Sequence, residues 1–163
     1  MCIPKTVDLT GVTAAVSTER SGSNTFVTLD WSRIMGTLPF KIPFCSATLC
    51  DDGTIYVSGT IGLRPVSADG ESQAPSIVKG GPMAEARRTM EIIEATLKAC
   101  GATLENITMV HVYLVDNTKE RFAEMNEGYL QFWGDRPLPA RITVGCSALA
   151  LGSCVEIDVI AKK

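Results

Sequence analysis

The segment from Pro82 to Gly101 constrains the fold more tightly than any other part of the sequence. Its apolar residues recur at alternating spacings of three and four, which places them on one face of a helix: Met83, Ala86, Met90, Ile93 and Leu97. Proline is favoured in the first turn of a helix and glycine just beyond its end, so the pattern predicts a helix over residues 82–100. We interpret the apolar stripe as a face that packs on a sheet.

Three segments rich in β-branched and aromatic residues predict strands. They cover residues 25–31, 54–61 and 106–115. Gly59 interrupts the second segment and predicts either a β-bulge or a close approach of another part of the backbone. The third segment is apolar at most positions, as in strands that are buried on both faces. Residues 62–81 are rich in Gly, Pro, Ser and Asp and predict a long loop.

A second helix is predicted after the third of these strands. Asn117 and Glu120 have the spacing of a capping box, which marks the start of a helix. Gly134 and Pro137 mark its end. Its inner face would carry four residues with helical spacing: Phe122, Met125, Tyr129 and Trp133.

Two further strands are predicted near residues 140–147 and 153–162, joined as a hairpin through a turn at Gly152. The order of elements is then strands, helix, strand, helix and two strands. This order predicts an α+β fold with a mixed β-sheet and both helices on one face.

The charge of the chain restricts the class of its ligand. The 163 residues include 15 Lys and Arg against 18 Asp and Glu, which gives a formal net charge of −3. A phosphate-binding surface needs clustered basic residues, so nucleic acid is a poor candidate partner.

The mean hydropathy of +0.17 is high for a small domain. It favours a second buried surface, at an interface between subunits.

Cysteine and histidine spacing argues against a metal site. None of the six cysteines lies in a CxxC pair, four residues separate Cys45 from Cys50, and His111 is the single histidine. We therefore expect reduced thiols and no metal. No apolar leader follows Met1, and no apolar run approaches the ~18 residues of a membrane span. We expect a cytoplasmic protein without membrane contact, with a mitochondrial or other organellar location left open.

The last predicted strand carries two acids on a face of its own. Alternation places Val155, Ile157 and their successors on one face, and Glu156 and Asp158 on the other. Burying an unpaired carboxylate is costly, so a cation or a water-filled cleft should lie nearby. Arg141 on the preceding strand is the obvious cation, and we predict that Arg141 and Glu156 share one cleft.

The residues alone leave two interpretations of this pair open. In the first, Arg141 and Glu156 form a structural ion pair at a subunit interface. In the second, Arg141 binds the carboxylate of a ligand through its two-pronged guanidinium, and Glu156 orients or activates a water molecule.

Three stretches of the sequence resemble the RidA family, which is also called YjgF and, in older usage, L-PSP endoribonuclease or translation initiation inhibitor. They are RPLPARITVGCSALALGSCVEIDVIA at 136–161, IYVSGTIG at 55–62 and QAPSIVKGGPMAEARRTMEIIEATLKACG at 73–101. The resemblance covers about residues 43–163. We therefore divide the chain into an N-terminal extension, 1–38, and a RidA-like domain, 39–163. The resemblance implies a chorismate-mutase-like fold and a homotrimer with clefts between neighbouring subunits.

The resemblance also implies an activity and a set of site residues. The activity is deamination of reactive 2-imino acids, such as 2-iminopropanoate and 2-iminobutanoate formed from 2-aminoacrylate and 2-aminocrotonate. The products are 2-keto acids and ammonium, and no cofactor is needed. Arg141 would bind the substrate carboxylate, and Glu156 would lie near the attacking water. The other positions that match the family's site are Ser58, Gly59, Asn126 and Thr143, the last holding the water through its backbone carbonyl.

One position departs from the pattern of the RidA family, and two functions other than imine deamination stay open. Relatives often carry a tyrosine near Pro43, where this chain has Phe44 and Cys45 and therefore no phenol hydroxyl. The first alternative is a non-catalytic ligand-binding or chaperone-like trimer that uses the same cleft. The second is an endoribonuclease or translation inhibitor, against which the net negative charge argues. Ser58 as a nucleophile would need a nearby base, and we interpret His111 as a packed strand residue.

Overall fold

A computed structural model of the chain describes residues 3–9, 12–36, 41–65 and 75–163. Within these ranges eight strands form one sheet, in the order β1-β2-β3-β4-β5-β8-β6-β7. The strands are β1 Thr6–Asp8, β2 Thr13–Ser21, β3 Asn24–Leu29, β4 Ala47–Cys50, β5 Thr54–Ile61, β6 Ile107–Val115, β7 Ala140–Cys146 and β8 Val155–Lys162. The helices are α1 Ser32–Met35, α2 Gly81–Ala99 and α3 Lys119–Trp133, with short 3₁₀ turns at Leu104–Asn106 and Ala150–Gly152.

The two long helices lie on one face of the sheet and cross each other closely. The apolar stripe predicted for α2 is buried apart from Met83 at its first turn. Gly128 of α3 sits at the crossing, where a Cβ atom would overlap the backbone carbonyl of Met83. The α+β class and the helix predicted over residues 82–100 are thus confirmed, with the helix running from Gly81 to Ala99.

The start predicted for the second helix is wrong by one residue. Thr118 is the N-cap, in an extended conformation, and its hydroxyl accepts a hydrogen bond from the Arg121 backbone N–H at 3.3 Å. Three of the four residues predicted on the inner face are buried. The fourth, Phe122, is 36% exposed because it lies in the first turn, at the rim of the helix layer.

The last two strands do not form the predicted hairpin. β6 lies between them, antiparallel to β8 and parallel to β7. The physical reason is that β6, α3 and β7 form a crossover unit, in which a helix returns the chain to the same end of the sheet. β8 then pairs with β5 on its other side. This central position buries the apolar face of β8, as its alternation predicted.

The sheet has a face without helices, and part of it is apolar. Tyr56, Ile142 and Val144 are among its exposed large side chains. We refer to it as the open face. The prediction that residues 106–115 are buried on both faces is wrong for the single chain. Val110, Val112 and Leu114 are buried under the helices, but the intervening side chains on the open face are only half-buried.

The N-terminal extension contributes strands to the same sheet. β3 confirms the strand predicted over 25–31, whereas the short β1 and the mostly exposed β2 were not predicted. Of the long loop predicted over 62–81, residues 66–74 lie outside the described residues, and Leu63 forms an isolated bridge with Ile77. No helix in the described ranges is long and apolar enough to cross a membrane.

Candidate functional site

Glu156 lies on the open face, where a bulge in β5 makes room for its carboxylate. The pairing of β5 with β8 shifts register between Val57 and Thr60, which agrees with the first of the two alternatives predicted for Gly59, a bulge. A Cβ atom at Gly59 would overlap the Oε1 atom of Glu156, so a larger residue there would displace the carboxylate from this position. Burial, and to a smaller degree the negative charge of Asp158, raises the pKa of Glu156 above its ordinary value of 4.5. The carboxylate is therefore a stronger base than an exposed glutamate.

Ser58, next to this bulge, has a structural hydrogen bond. Its hydroxyl donates to the backbone carbonyl of Cys45 at 2.8 Å. His111 is engaged elsewhere, because its Nδ1 atom lies 2.6 Å from the Asp158 carboxylate. Ser58 therefore has no histidine base, and its position favours lining a cleft over acting as a nucleophile.

Arg141 lies on the opposite face of the sheet, against α3. Its guanidinium carbon is 4.8 Å from the centre of the Tyr129 ring and 5.9 Å from that of Phe122. No ion pair or hydrogen bond joins the Arg141 guanidinium to another described residue. A half-buried guanidinium that rests on two aromatic rings, with its N–H groups unused, is well placed to bind a carboxylate.

Asn126 and Thr143 lie beside this arginine. Asn126 is four residues after Phe122 and three before Tyr129 on α3, so the three side chains share one face of the helix. Thr143 follows Arg141 by two residues on β7 and therefore points the same way. Its Oγ1 atom is buried and has no hydrogen-bond partner among the described residues.

The six predicted site residues thus fall into two half-sites. The glutamate half-site comprises Ser58, Gly59 and Glu156, and the arginine half-site comprises Asn126, Arg141 and Thr143. The register explains the separation: Arg141 is opposite Val110, which faces the helices, and Glu156 is opposite Tyr113, which faces away from them. The prediction that Arg141 and Glu156 share a cleft is therefore wrong within one chain. A site that contains both must combine two copies.

A buried carboxylate that sequence reasoning missed positions the start of β8. Glu85 of α2 is only 5% exposed. It accepts hydrogen bonds from the Ser153 hydroxyl at 2.6 Å and from the backbone N–H groups of Cys154 at 2.8 Å and Val155 at 3.2 Å. These contacts hold the backbone directly before Glu156. The sequence signal for this buried carboxylate was an acidic residue, Glu85, directly before Ala86 of the apolar stripe of α2.

The aromatic residues beneath Arg141 are predicted from the sequence only as part of the inner face of the second helix. Tyr129 is 2% exposed, and burial raises its pKa more than the nearby Arg141 charge lowers it, so the phenol stays neutral. Helical spacing identified Phe122 and Tyr129 but could not show which cation would lie above them. Among the described residues, no group of three or more His, Cys, Asp or Glu side chains is arranged to hold a metal ion.

The structure is that of an α+β protein with the two half-sites on opposite faces of its sheet. Residues 40–163 match the family described as Endoribonuclease L-PSP, and the chain belongs to this family, to which the names RidA and YjgF also apply.

Named relatives and solved structures agree with this assignment. A 2-iminobutanoate/2-iminopropanoate deaminase from Mus musculus is 36% identical over 110 residues, 68% of this chain and 74% of the relative. A RutC family protein from Sulfurisphaera tokodaii is 34% identical over 110 residues, 68% of this chain and 80% of the relative. The crystal structure of yeast Mmf1 superposes with a TM-score of 0.62 at 27% identity, covering 77% of this chain and 90% of that protein.

Proposed function

We propose that the chain is a deaminase of small 2-imino acids that works in clefts between neighbouring copies of a homotrimer. Each cleft combines the arginine half-site of one copy with the glutamate half-site of the next. The observation that carries the proposal is the unpaired guanidinium of Arg141 on its two aromatic rings. The deaminase name of the mouse relative gives the class of reaction.

The proposed reaction needs little from the protein beyond positioning. Arg141 binds the carboxylate of the substrate through two parallel hydrogen bonds, and Asn126 lies beside it. The C2 atom of an imine is already electrophilic, so a held water molecule can attack it. Glu156 accepts a proton from this water as the oxygen bonds to C2. The C2–N π bond opens and the nitrogen takes up this proton from Glu156. The hydroxyl proton of the resulting carbinolamine then passes to the nitrogen as the remaining C2–N bond breaks, so ammonia leaves and the 2-keto acid remains.

The other half-site residues support these steps. The backbone carbonyl of Thr143 holds the water. Ser58 and Gly59 form the wall next to Glu156. The raised pKa of Glu156 strengthens it as a base, and one positioned base contributes roughly 10²–10⁴-fold to a rate. The chemistry needs neither a metal nor an organic cofactor.

The proposed assembly is supported by the open face. Exposed Tyr56, Ile142 and Val144 give this face apolar surface that a single chain leaves in water. β7 also lies at one edge of the sheet formed by the described strands. A closed ring of identical copies covers such a face on every copy at once.

Substitution of the arginine tests the proposed function. An amino-acid oxidase produces 2-imino acids in the presence of semicarbazide, and the protein should lower the yield of semicarbazone by hydrolysing the imine first. We expect Arg141→Lys to lower kcat/KM by about 100-fold, mainly through KM, because a single ammonium cannot replace the two-pronged contact. Arg87→Lys is the matched control, since Arg87 is exposed on α2. Undiminished activity of Arg141→Lys would remove the proposed mechanism.

Two alternatives are tested with the same preparations. A non-catalytic binder would bind 2-keto acids and leave the semicarbazone yield unchanged. The family name Endoribonuclease L-PSP makes a ribonuclease the second alternative. RNA cleavage that co-purifies with the protein and falls steeply with added salt would support it.

A further inference from the structure

An apolar cavity in the described part of the chain opens beside Glu156. Its volume is about 490 Å³. Gly59 and Ile61 of β5 form one side, and Phe44 forms another. Glu156 is the only ionisable residue among the described residues that line it. The cavity is therefore continuous with the glutamate half-site and has a wall that suits an apolar group.

Part of this wall comes from the N-terminal extension. Trp31 and Met35 line the cavity, yet both precede residue 40, where the match to the family begins. The family resemblance therefore says nothing about this side of the cavity. Both residues lie outside the range 40–163 that matches the family.

The placement of Trp31 and Met35 is built into the fold. β3 pairs with β4, and β4 with β5, so the end of β3 lies near the bulge at Gly59. Asp30 then accepts hydrogen bonds from the backbone N–H and the hydroxyl of Ser32, at 3.1 Å and 2.6 Å, which fixes the turn into α1. Ile34, 2% exposed, anchors α1 in the core. Trp31 and Met35 are thereby held at the cavity.

The size of the cavity exceeds what the smallest imino acids need. Liquid water occupies about 30 Å³ per molecule, so the cavity has room for many more atoms than the methyl or ethyl side chain of 2-iminopropanoate or 2-iminobutanoate. Phe44 adds to the apolar wall. No cationic side chain lines the cavity among the described residues, so an acidic side chain would find no partner there.

We infer that this cavity receives the side chain of the substrate, and that the chain prefers 2-imino acids with large branched or aromatic apolar side chains. Trp31 and Met35 are the residues that set this preference. The inference rests on the proposed deaminase function, because it takes Glu156 as the group beside the reacting carbon.

The test compares 2-imino acids made by the oxidase from leucine, phenylalanine and alanine. We expect kcat/KM for the leucine- and phenylalanine-derived imines to exceed that for the alanine-derived imine by about tenfold or more, since each methylene in an apolar pocket contributes roughly tenfold. Equal values, or a preference for the alanine-derived imine, would overturn the inference while leaving the deaminase function in place.

Substitutions of Trp31 and Met35 test whether these two residues cause the preference for large apolar side chains. Trp31→Ala and Met35→Ala should each lower the leucine-to-alanine ratio by about fivefold or more, through KM rather than kcat. Leu130→Ala is the matched control, because Leu130 is an exposed apolar residue of α3 away from the cavity. Trp31→Phe should restore most of the ratio if Trp31→Ala folds poorly. An unchanged ratio in folded Met35→Ala and Trp31→Ala would contradict the assignment of these residues.

Binding of the 2-keto acid products tests the apolar side-chain pocket independently of the proposed deaminase function. If no imine is hydrolysed, the proposed function fails, and calorimetry with 4-methyl-2-oxopentanoate, phenylpyruvate and pyruvate decides on the cavity. Tighter binding of the first two, weakened by Met35→Ala, would support an apolar side-chain pocket. Equal binding of all three would overturn it.

Discussion

Glu156 links the stability of the chain to its proposed chemistry. Burial raises its pKa above 4.5, so the folded chain holds this proton more tightly than the unfolded chain. Ionising Glu156 in the folded state therefore costs stability. The cost is absent below the ordinary pKa and grows as the pH rises through the raised one.

We expect Glu156→Gln to unfold at a higher urea concentration than wild type at neutral pH, and at the same concentration once the pH is below 4.5. Its kcat should fall by roughly 10²–10⁴-fold. In the wild type, turnover should decline as the pH falls through the raised pKa of Glu156. Urea titrations and rates measured over pH 4–8 check both parts. A variant less stable than wild type at neutral pH would show that the carboxylate is not strained by burial.

Gly128 governs the contact between the two long helices. A Cβ atom there would overlap the carbonyl of Met83, and overpacking costs about 1–3 kcal/mol. Without that contact, replacing a helical glycine by alanine would stabilise the chain by about 1 kcal/mol. We therefore expect Gly128→Ala to lower the free energy of unfolding, measured in urea. A stabilised variant would show that α2 and α3 do not cross as described.

Glu85 holds the first residues of β8 in place. Removing its carboxylate leaves the N–H groups of Cys154 and Val155 without their acceptor. We expect Glu85→Ala to lower the free energy of unfolding by about 3 kcal/mol, because each unpaired buried group costs about 1–3 kcal/mol.

Glu94→Ala is the control for Glu85→Ala on the same helix. Glu94 forms only a surface ion pair with Lys98 at 3.1 Å, so its loss should change stability by about 0.5 kcal/mol or less. Equal losses in the two variants would mean that the buried carboxylate has no special role.

Elements with a strong local pattern could be predicted from the sequence, but strand neighbours could not. The alternation around Glu156 gave the correct faces of β8, and helical spacing gave α2. The pairing of β6 with both β7 and β8 depends on where α3 carries the chain, which no local pattern records.

The direction of Arg141 was misjudged for a related reason. Ile142 and Val144 alternate with it, and an apolar face is normally assigned to the helix side of a sheet. Here those two residues lie on the open face and Arg141 faces α3. A strand that buries apolar residues against a second copy gives the same sequence pattern as one that buries them under helices. The strand β2 was not predicted because most of its side chains are exposed and polar, so they show no alternation of apolar and polar residues.

At the scale of the whole molecule, one chain holds both halves of the proposed site but cannot bring them together. Sedimentation or native mass measurement should give a species of three times the 17.5 kDa chain. A monomer that retains full activity would contradict the proposed assembly, since Arg141 and Glu156 face opposite sides of one sheet.

The most direct test mixes two inactive variants. Arg141→Ala keeps the glutamate half-site and Glu156→Ala keeps the arginine half-site, so each alone should be inactive. When equal amounts are unfolded and refolded together, each cleft has about one chance in four of receiving both intact halves from neighbouring copies in a closed ring. We expect about one quarter of wild-type deaminase activity to return. If the mixture stays inactive while the refolded wild type recovers, the two residues do not meet between copies, and the proposed site is wrong.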